Sequence, residues 1–147
     1  MCNLPRGKVS ILLKLMLVED GRILLEIPLS IDDWNIEELN MELSRLDDEM
    51  EKMSKLFDIY SNASRIKMMR AFFEASDRCK AFTDLMHELD MNPKIVSDGT
   101  KKLQGVGIIE KNGRGRYKLT KKGETQFLLT SILLRKMENI LKEMEVI

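Results

Sequence analysis

Between residues 92 and 122 the chain carries nine basic side chains, Lys94, Lys101, Lys102, Lys111, Arg114, Arg116, Lys118, Lys121 and Lys122. Only two acidic ones, Asp98 and Glu110, oppose them, a local net charge of +7. The chemistry such a cluster offers is capture of a polyanion. Lys and Arg donate charge-assisted hydrogen bonds to phosphate oxygens, and the planar Arg fork can donate two in parallel. Nothing signals chemistry that makes or breaks covalent bonds. There is no glycine-rich phosphate loop and no nucleophile–base set. His87 is the only histidine, and Cys2 and Cys79 lack metal-ligand spacing. The expectation is a binding protein, not an enzyme, with no cofactor and no metal.

The elements that must hold these cations are well marked. Asn92-Pro93 reads as a helix start, because Pro suits the first helical position and Asn before it can cap. Gly105 and Gly107 end that helix, which is expected over 93–104. Val96, Thr100 and Leu103 share its inner face, leaving Lys94, Ser97, Asp98, Lys101 and Lys102 outward. A preceding helix over 81–89 buries Phe82, Leu85, Met86 and Leu89. Strand-like runs at 106–111 and 115–119 flank Asn112-Gly113, a strong signal for a tight type I′ hairpin. Upstream, Ser61-Asn62-Ala63-Ser64 breaks one helix and caps another, whose inner residues are Ile66, Met68, Met69, Phe72 and Phe73. Arg65, Lys67 and Arg70 are expected outside, and 74–80 reads as a polar loop. Helix, turn, helix and basic hairpin together read as a winged helix-turn-helix over 61–122. Its second helix suits the major groove of duplex DNA, and a hairpin tipped with Arg suits the minor groove or flanking phosphates.

The rest of the 147-residue chain is globular in composition, 44% hydrophobic and 33% charged with net charge zero. A hairpin is expected over 1–31, with strands at 9–18 and 22–29 around Asp20-Gly21. Setting Val18 opposite Ile23 places Leu12, Met16, Leu25, Ile27 and Leu29 on one face and Ile11, Leu13, Leu15, Leu17 and Leu24 on the other. Both faces are apolar, so each needs cover, from the following helices, a second subunit or a ligand. Lys14 and Glu26 fall on opposite faces and are not expected to pair. Trp34 reads as an anchor at the hairpin–helix junction. Residues 32–60 read as one acidic helix capped by Asp32 or Asp33. Its apolar positions, Ile36, Leu39, Leu43, Leu46, Met50, Met53, Phe57 and Tyr60, alternate in steps of three and four, the pattern of a coiled-coil seam. From Asp32 to Glu51 nine acidic residues face one basic, Arg45, net −8. Such asymmetry points to charged partners, although two solvated faces that neutralise each other would give the same count. Residues 123–147 read as a helix capped by Thr120, with Leu133, Met137, Ile140, Met144 and Ile147 as a second stripe. The alternative for either stripe is packing within one subunit. No apolar run is long enough to span a membrane and no signal peptide is evident, so a cytoplasmic location is expected.

Residues 56–124 resemble winged helix-turn-helix regulators of the ArsR type, especially archaeal ones. The likeness lies in Asn62-Ala63-Ser64-Arg65-Ile66-Lys67-Met68-Met69, in the run from Phe82 through Asn92-Pro93-Lys94-Ile95-Val96-Ser97, and in Tyr117-Lys118-Leu119-Thr120-Lys121-Lys122-Gly123. The resemblance implies that Asn92, Lys94, Ser97, Asp98 and Lys101 face DNA and that Arg114 and Arg116 lie on the wing. The chain departs from that pattern at Gly99, where Gly costs about 1 kcal/mol relative to Ala in a helix. It departs again at Thr100, where a larger aliphatic residue is usual, and at Asp98, which repels phosphate. The metal-sensing cysteine pair of some members is absent from 81–89. The expected fold class is therefore α+β, mainly helical: a winged helix-turn-helix with an N-terminal β-hairpin and long dimerisation helices. The expected function is transcription regulation by a homodimer on double-stranded DNA. A rival reading is an interaction module of the transcription machinery, docking a protein partner through the hairpin or the acidic helix with little DNA contact.

Overall fold

The computed structural model describes residues 12–144. The arm expected at 1–8, strand residues 9–11, Cys2, and the last helix residues with Ile147 lie outside the described residues. The chain forms two compact units, Met1–Met50 and Glu51–Ile147.

In the first unit, β1 (Lys14–Glu19) and β2 (Arg22–Pro28) form an antiparallel hairpin. Asp20 and Gly21 both take positive φ, 48° and 78°, as a two-residue primed turn requires. Val18 lies opposite Ile23, as expected, but the register then shifts between Leu17 and Val18, so that Leu17 faces Leu25 and Met16 faces Glu26. One extra residue in β2 moves the rest of that strand to the other face. Leu25 and Ile27 therefore join Leu17 and Leu15. Glu26 joins the face of Lys14, and the two do pair, Nζ to Oε2 at 3.3 Å, contrary to the uninterrupted register. Trp34 is an anchor: its indole N–H donates to the Pro28 carbonyl at 2.9 Å.

The acidic helix begins later and ends earlier than its periodicity implies. Asp32 and Asp33 belong to a 3₁₀ turn, and Asn35 is the cap of α1 (Ile36–Asp48), accepting from the Glu37 and Glu38 N–H groups. Glu49 leaves helical geometry, and a second helix, α2 (Met50–Tyr60), follows. The seam over 32–60 is thus carried by two helices. Asp47, Asp48 and Glu49 stand together at the negative end of α1, where acidic charge opposes the helix dipole.

The second unit is a winged helix-turn-helix. After α2 come α3 (Ala63–Glu74), β3 (Cys79–Ala81), α4 (Phe82–Glu88), α5 (Pro93–Gly105), β4 (Ile109–Lys111) and β5 (Arg116–Leu119), with sheet order β3-β5-β4. β3 falls where a polar loop was expected; three residues are too few to show an alternating pattern. Asn62 caps α3 and Asn92 caps α5, with Pro93 at the first turn. Asp90 in the left-handed region (φ 50°) and the Met91 N–H to Met86 carbonyl bond (3.0 Å) close the turn between α4 and α5. The core is built from α3, α4, α5 and β4 with the residue before it: Met68, Met69, Phe72, Leu85, Val96, Leu103, Ile108 and Ile109 are essentially inaccessible. Each such side chain contributes roughly 1.5–3 kcal/mol.

The final helical run does not keep one geometry. Thr120 caps α6 (Lys121–Phe127), a π-helical segment follows at Leu128–Leu133, and α7 (Leu134–Glu143) completes it. Within the run, the Thr130 hydroxyl donates to the Gln126 carbonyl at 2.6 Å. A π segment shifts the phase of the apolar stripe.

Two glycines test the packing in opposite ways. A Cβ on Gly123 would lie 2.2 Å from the Ile108 carbonyl oxygen, whereas one on Gly105 would meet nothing within 4 Å. Gly123→Ala is expected to destabilise by about 1–3 kcal/mol or more, as overpacking does. Gly105→Ala should stay within about 1 kcal/mol of wild type, on the stabilising side. Urea unfolding midpoints of the two variants check this, and equal midpoints would refute the close approach of α6 to Ile108.

Candidate nucleic-acid interface

The outward face of α5 follows from what its inward face buries. Val96, Gly99, Thr100 and Leu103 are buried, so the helical period turns Lys94, Asp98 and Lys101 away from the core, with Ser97 half-buried on one flank. Gly99 belongs to the inner face. A Cβ there would come within 2.6 Å of the Met68 sulfur, so the missing side chain lets α5 approach α3 closely. The departure from the resembled pattern at Gly99 thus has a structural reason: it is a packing residue. Thr100 also fits inside, because its hydroxyl donates to the Ser97 carbonyl at 3.1 Å. Asn92 is exposed, and its side-chain oxygen caps the Ile95 N–H at 2.9 Å, which leaves its amide donors outward.

The wing is shorter than the sequence suggests. Lys111 pairs with Tyr117, and the Asn112 N–H donates to the Arg116 carbonyl at 2.9 Å. Gly113, Arg114 and Gly115 form the loop, with φ of 93° at Gly113 and 68° at Gly115. The expected two-residue turn at Asn112-Gly113 is therefore replaced by a three-residue loop. The two glycines absorb the positive φ values and leave Arg114 at the tip. Lys111, Arg114 and Arg116 are all exposed. Lys118 is exposed too, but lines a hollow that also holds Glu110, Lys121 and Glu124, a mixed-charge setting away from the tip.

Charge pairing separates these cations. Among the described residues, Lys94, Lys101, Lys111, Arg114, Arg116 and Lys118 have no carboxylate within 4.0 Å. Lys102 is different: its ammonium lies 3.1 Å from the Asp58 carboxylate. Arg65 reaches the same place from α3. It is buried, not outward as its spacing suggested, and its guanidinium donates to the Asp58 and Ile59 carbonyls at 2.6 and 3.3 Å. A cation at the C-terminal end of α2 satisfies carbonyls that lack helical partners. Lys102, first by hydrogen bond and then by charge, together with Arg65, holds the Asp58 carboxyl below its ordinary value of 3.8.

Beside this network, Ser64, Asp98, Lys101 and Lys102 border a hollow of about 510 Å³ at the N-terminus of α3. The hollow carries both signs: Lys101 and the Asp58-bound Lys102 stand with Asp98, and the Asn62 side chain accepts from the Arg65 N–H at this helix end. The spacing rules drew attention to Lys101 and Lys102 but not to Ser64, whose only sequence signal is its place in the cap of α3.

The residues expected to drive self-association are mostly uncovered. Ile36, Leu43, Leu46 and Met50 are exposed, Leu39 and Met53 half-buried. Leu133 and Met137 are half-buried, Ile140 and Met144 exposed, and no residue of α7 is buried. Among the described residues no group of three or more His, Cys, Asp or Glu could hold a metal ion, and no helix is long and apolar enough to cross a membrane.

Because Asp58 titrates lower in the folded chain than in an unfolded one, its contribution to stability is present above 3.8 and is lost as pH falls through the depressed folded value. The urea midpoint of wild type should therefore drop more steeply below that pH than the midpoint of Asp58→Asn; parallel curves would refute the network.

No family model matches the chain, and no curated protein matches it either. Among solved structures it is similar to Sco5413, a MarR family transcriptional regulator from Streptomyces coelicolor. The TM-score is 0.42 and the identity 12%, over 76% of this chain and 95% of that one.

Proposed function

We propose that the chain is a DNA-binding transcription regulator that acts as a homodimer, with α5 in the major groove and the wing on the minor groove or its flanking phosphates. The observation that carries this reading is the set of exposed cations without carboxylate partners on the outward face of α5 and at the wing tip. Lys94, Ser97 and Lys101 supply donors for base edges and phosphates, and Asp98 can accept from cytosine. Lys102, engaged by Asp58, positions α5 and serves the interface less directly. The finer reading, an ArsR-type regulator of archaeal kind acting in the cytoplasm, rests on the sequence runs 62–69 and 82–97. Self-association is assigned to the C-terminal stripe of Leu133, Met137, Ile140 and Met144. A two-fold pair of recognition helices then reads a pseudo-palindromic site.

Arg114→Ala with Arg116→Ala is expected to weaken duplex binding about tenfold or more, at roughly 1 kcal/mol or more per charge-assisted contact. The same change should lower the slope of log affinity against log salt by about 2, one counterion set per lost phosphate contact. Lys102→Ala should affect binding less. An unchanged salt slope in the double variant, read by fluorescence anisotropy on random-sequence duplex, would remove the wing from the interface. For the dimer, Met137→Asp should lower the mass seen by sedimentation, and an unchanged mass would place the C-terminal stripe in intrachain packing.

A further inference from the structure

Among its described residues the first unit shows no buried core. From residue 12 to residue 50 not one side chain is buried, and fifteen large apolar side chains there stand exposed. A two-stranded hairpin in that condition is marginal in water, and its apolar surface calls for cover. The unit does contain one shaped recess, a groove of about 560 Å³ between β2 and α1. Its apolar lining comes from Leu25, Ile27, Trp34, Leu39 and Met41. Its charged lining is Glu26, Glu38 and Glu42 with Arg45; Glu26 pairs with Lys14 and Glu42 with Arg45, each at 3.3 Å, and among the described residues Glu38 has no cation within 4.0 Å. Over residues 12–50 eleven acidic side chains face three basic ones, net −8.

We propose that this groove docks a basic amphipathic helix from another protein. Apolar side chains of such a helix fill the Leu25–Trp34–Leu39 floor while its Lys or Arg residues meet Glu38 and Glu42 at the rim. On α1 the groove is lined from Glu38 to Arg45, a span of about 12 Å that matches about two turns of a partner helix. Charge argues against a second copy of this chain as the occupant. The α1 of a second copy carries Glu37, Glu38, Glu42, Asp47 and Asp48 against Arg45 alone, so seating it in a groove whose rim holds Glu38 and Glu42 sets carboxylate against carboxylate. A basic partner turns each of those contacts into an attraction, and like-charge flanks give the discrimination. This inference concerns a different unit from the DNA-binding reading and stands or falls without it.

Trp34 is the only tryptophan of the chain and lines the groove, so its fluorescence reports binding at that place. The experiment titrates the full chain with two tryptophan-free heptad peptides that share Leu at the core positions. One carries Lys at the flanking positions and the other Glu. The Lys peptide is expected to bind at least tenfold more tightly at low salt, with the gap narrowing as salt rises. Glu38→Lys with Glu42→Lys should invert the preference; both side chains are exposed, and circular dichroism checks that the variant keeps its helices. Equal affinity for the two peptides, or no change in Trp34 emission with either, would overturn the proposal. So would sedimentation of a dimer that Met41→Asp dissociates, since Met41 lines the groove and a second copy would then be the occupant.

Discussion

The contact between Met68 and Gly99 sets the geometry on which the second unit depends. Met68 is wholly inaccessible, and the absent side chain at Gly99 is the space its thioether occupies. A helix interior disfavours glycine by about 1 kcal/mol relative to alanine, so the position is costly unless packing repays it. Here the return is the close approach of α5 to α3. Once Gly99 faces α3, the helical period leaves Lys94, Asp98 and Lys101 on the side away from the core. The direction of the candidate interface follows from the whole inward set, Val96, Gly99, Thr100 and Leu103. Arg65 and Lys102 reinforce the same arrangement from the end of α2, through the Asp58 carboxylate and the carbonyls beside it.

The two units solve the problem of apolar surface differently. In the second, α3 is the central element: Met68, Met69 and Phe72 are enclosed by the helices and strands around them, and Gly123 brings α6 onto the Ile108 backbone. In the first, the hairpin is apolar on both faces and α1 is amphipathic, yet nothing is buried. Hydrophobic stabilisation scales with area removed from water, so the second unit holds itself together and the first presents a surface. Charge follows the same division. The described part of the first unit is strongly acidic, and unpaired cations of the second stand on α5 and the wing. Distinct partners for the two units are the economical reading of that asymmetry: a polyanion for one and a basic protein segment for the other.

Local chemistry was sufficient to locate the helix-turn-helix. Asn62 and Asn92 cap the helices they were expected to cap, Pro93 opens α5, and Asp20-Gly21 closes the hairpin, because each of these devices acts on its own neighbours in the chain. The apolar face of α5 was legible for the same reason. The failures lie where a decision depends on residues far away in sequence. β3 is three residues long and exists because β5 offers it hydrogen-bonding partners. Arg65 looks like a surface residue by period, and it is buried because the end of α2 presents carbonyls to it. The wing turn was assigned to Asn112-Gly113, but the cross-strand partners Lys111 and Tyr117 leave a longer loop and move Arg114 to the tip.

By itself the sequence determined the type and order of the main elements, the winged helix-turn-helix among them, and the segregation of acidic and basic charge. Periodicity, capping and turn chemistry are short-range, and a linear reading captures them. Tertiary structure alone decided the phase and partnering of those elements. A one-residue shift in the first hairpin brought Glu26 to the face of Lys14. Glu49 divided the acidic seam between two helices, and a π segment reset the last one. Each of these is a register or rotation that the sequence leaves nearly degenerate, and contacts between distant residues select one of the alternatives.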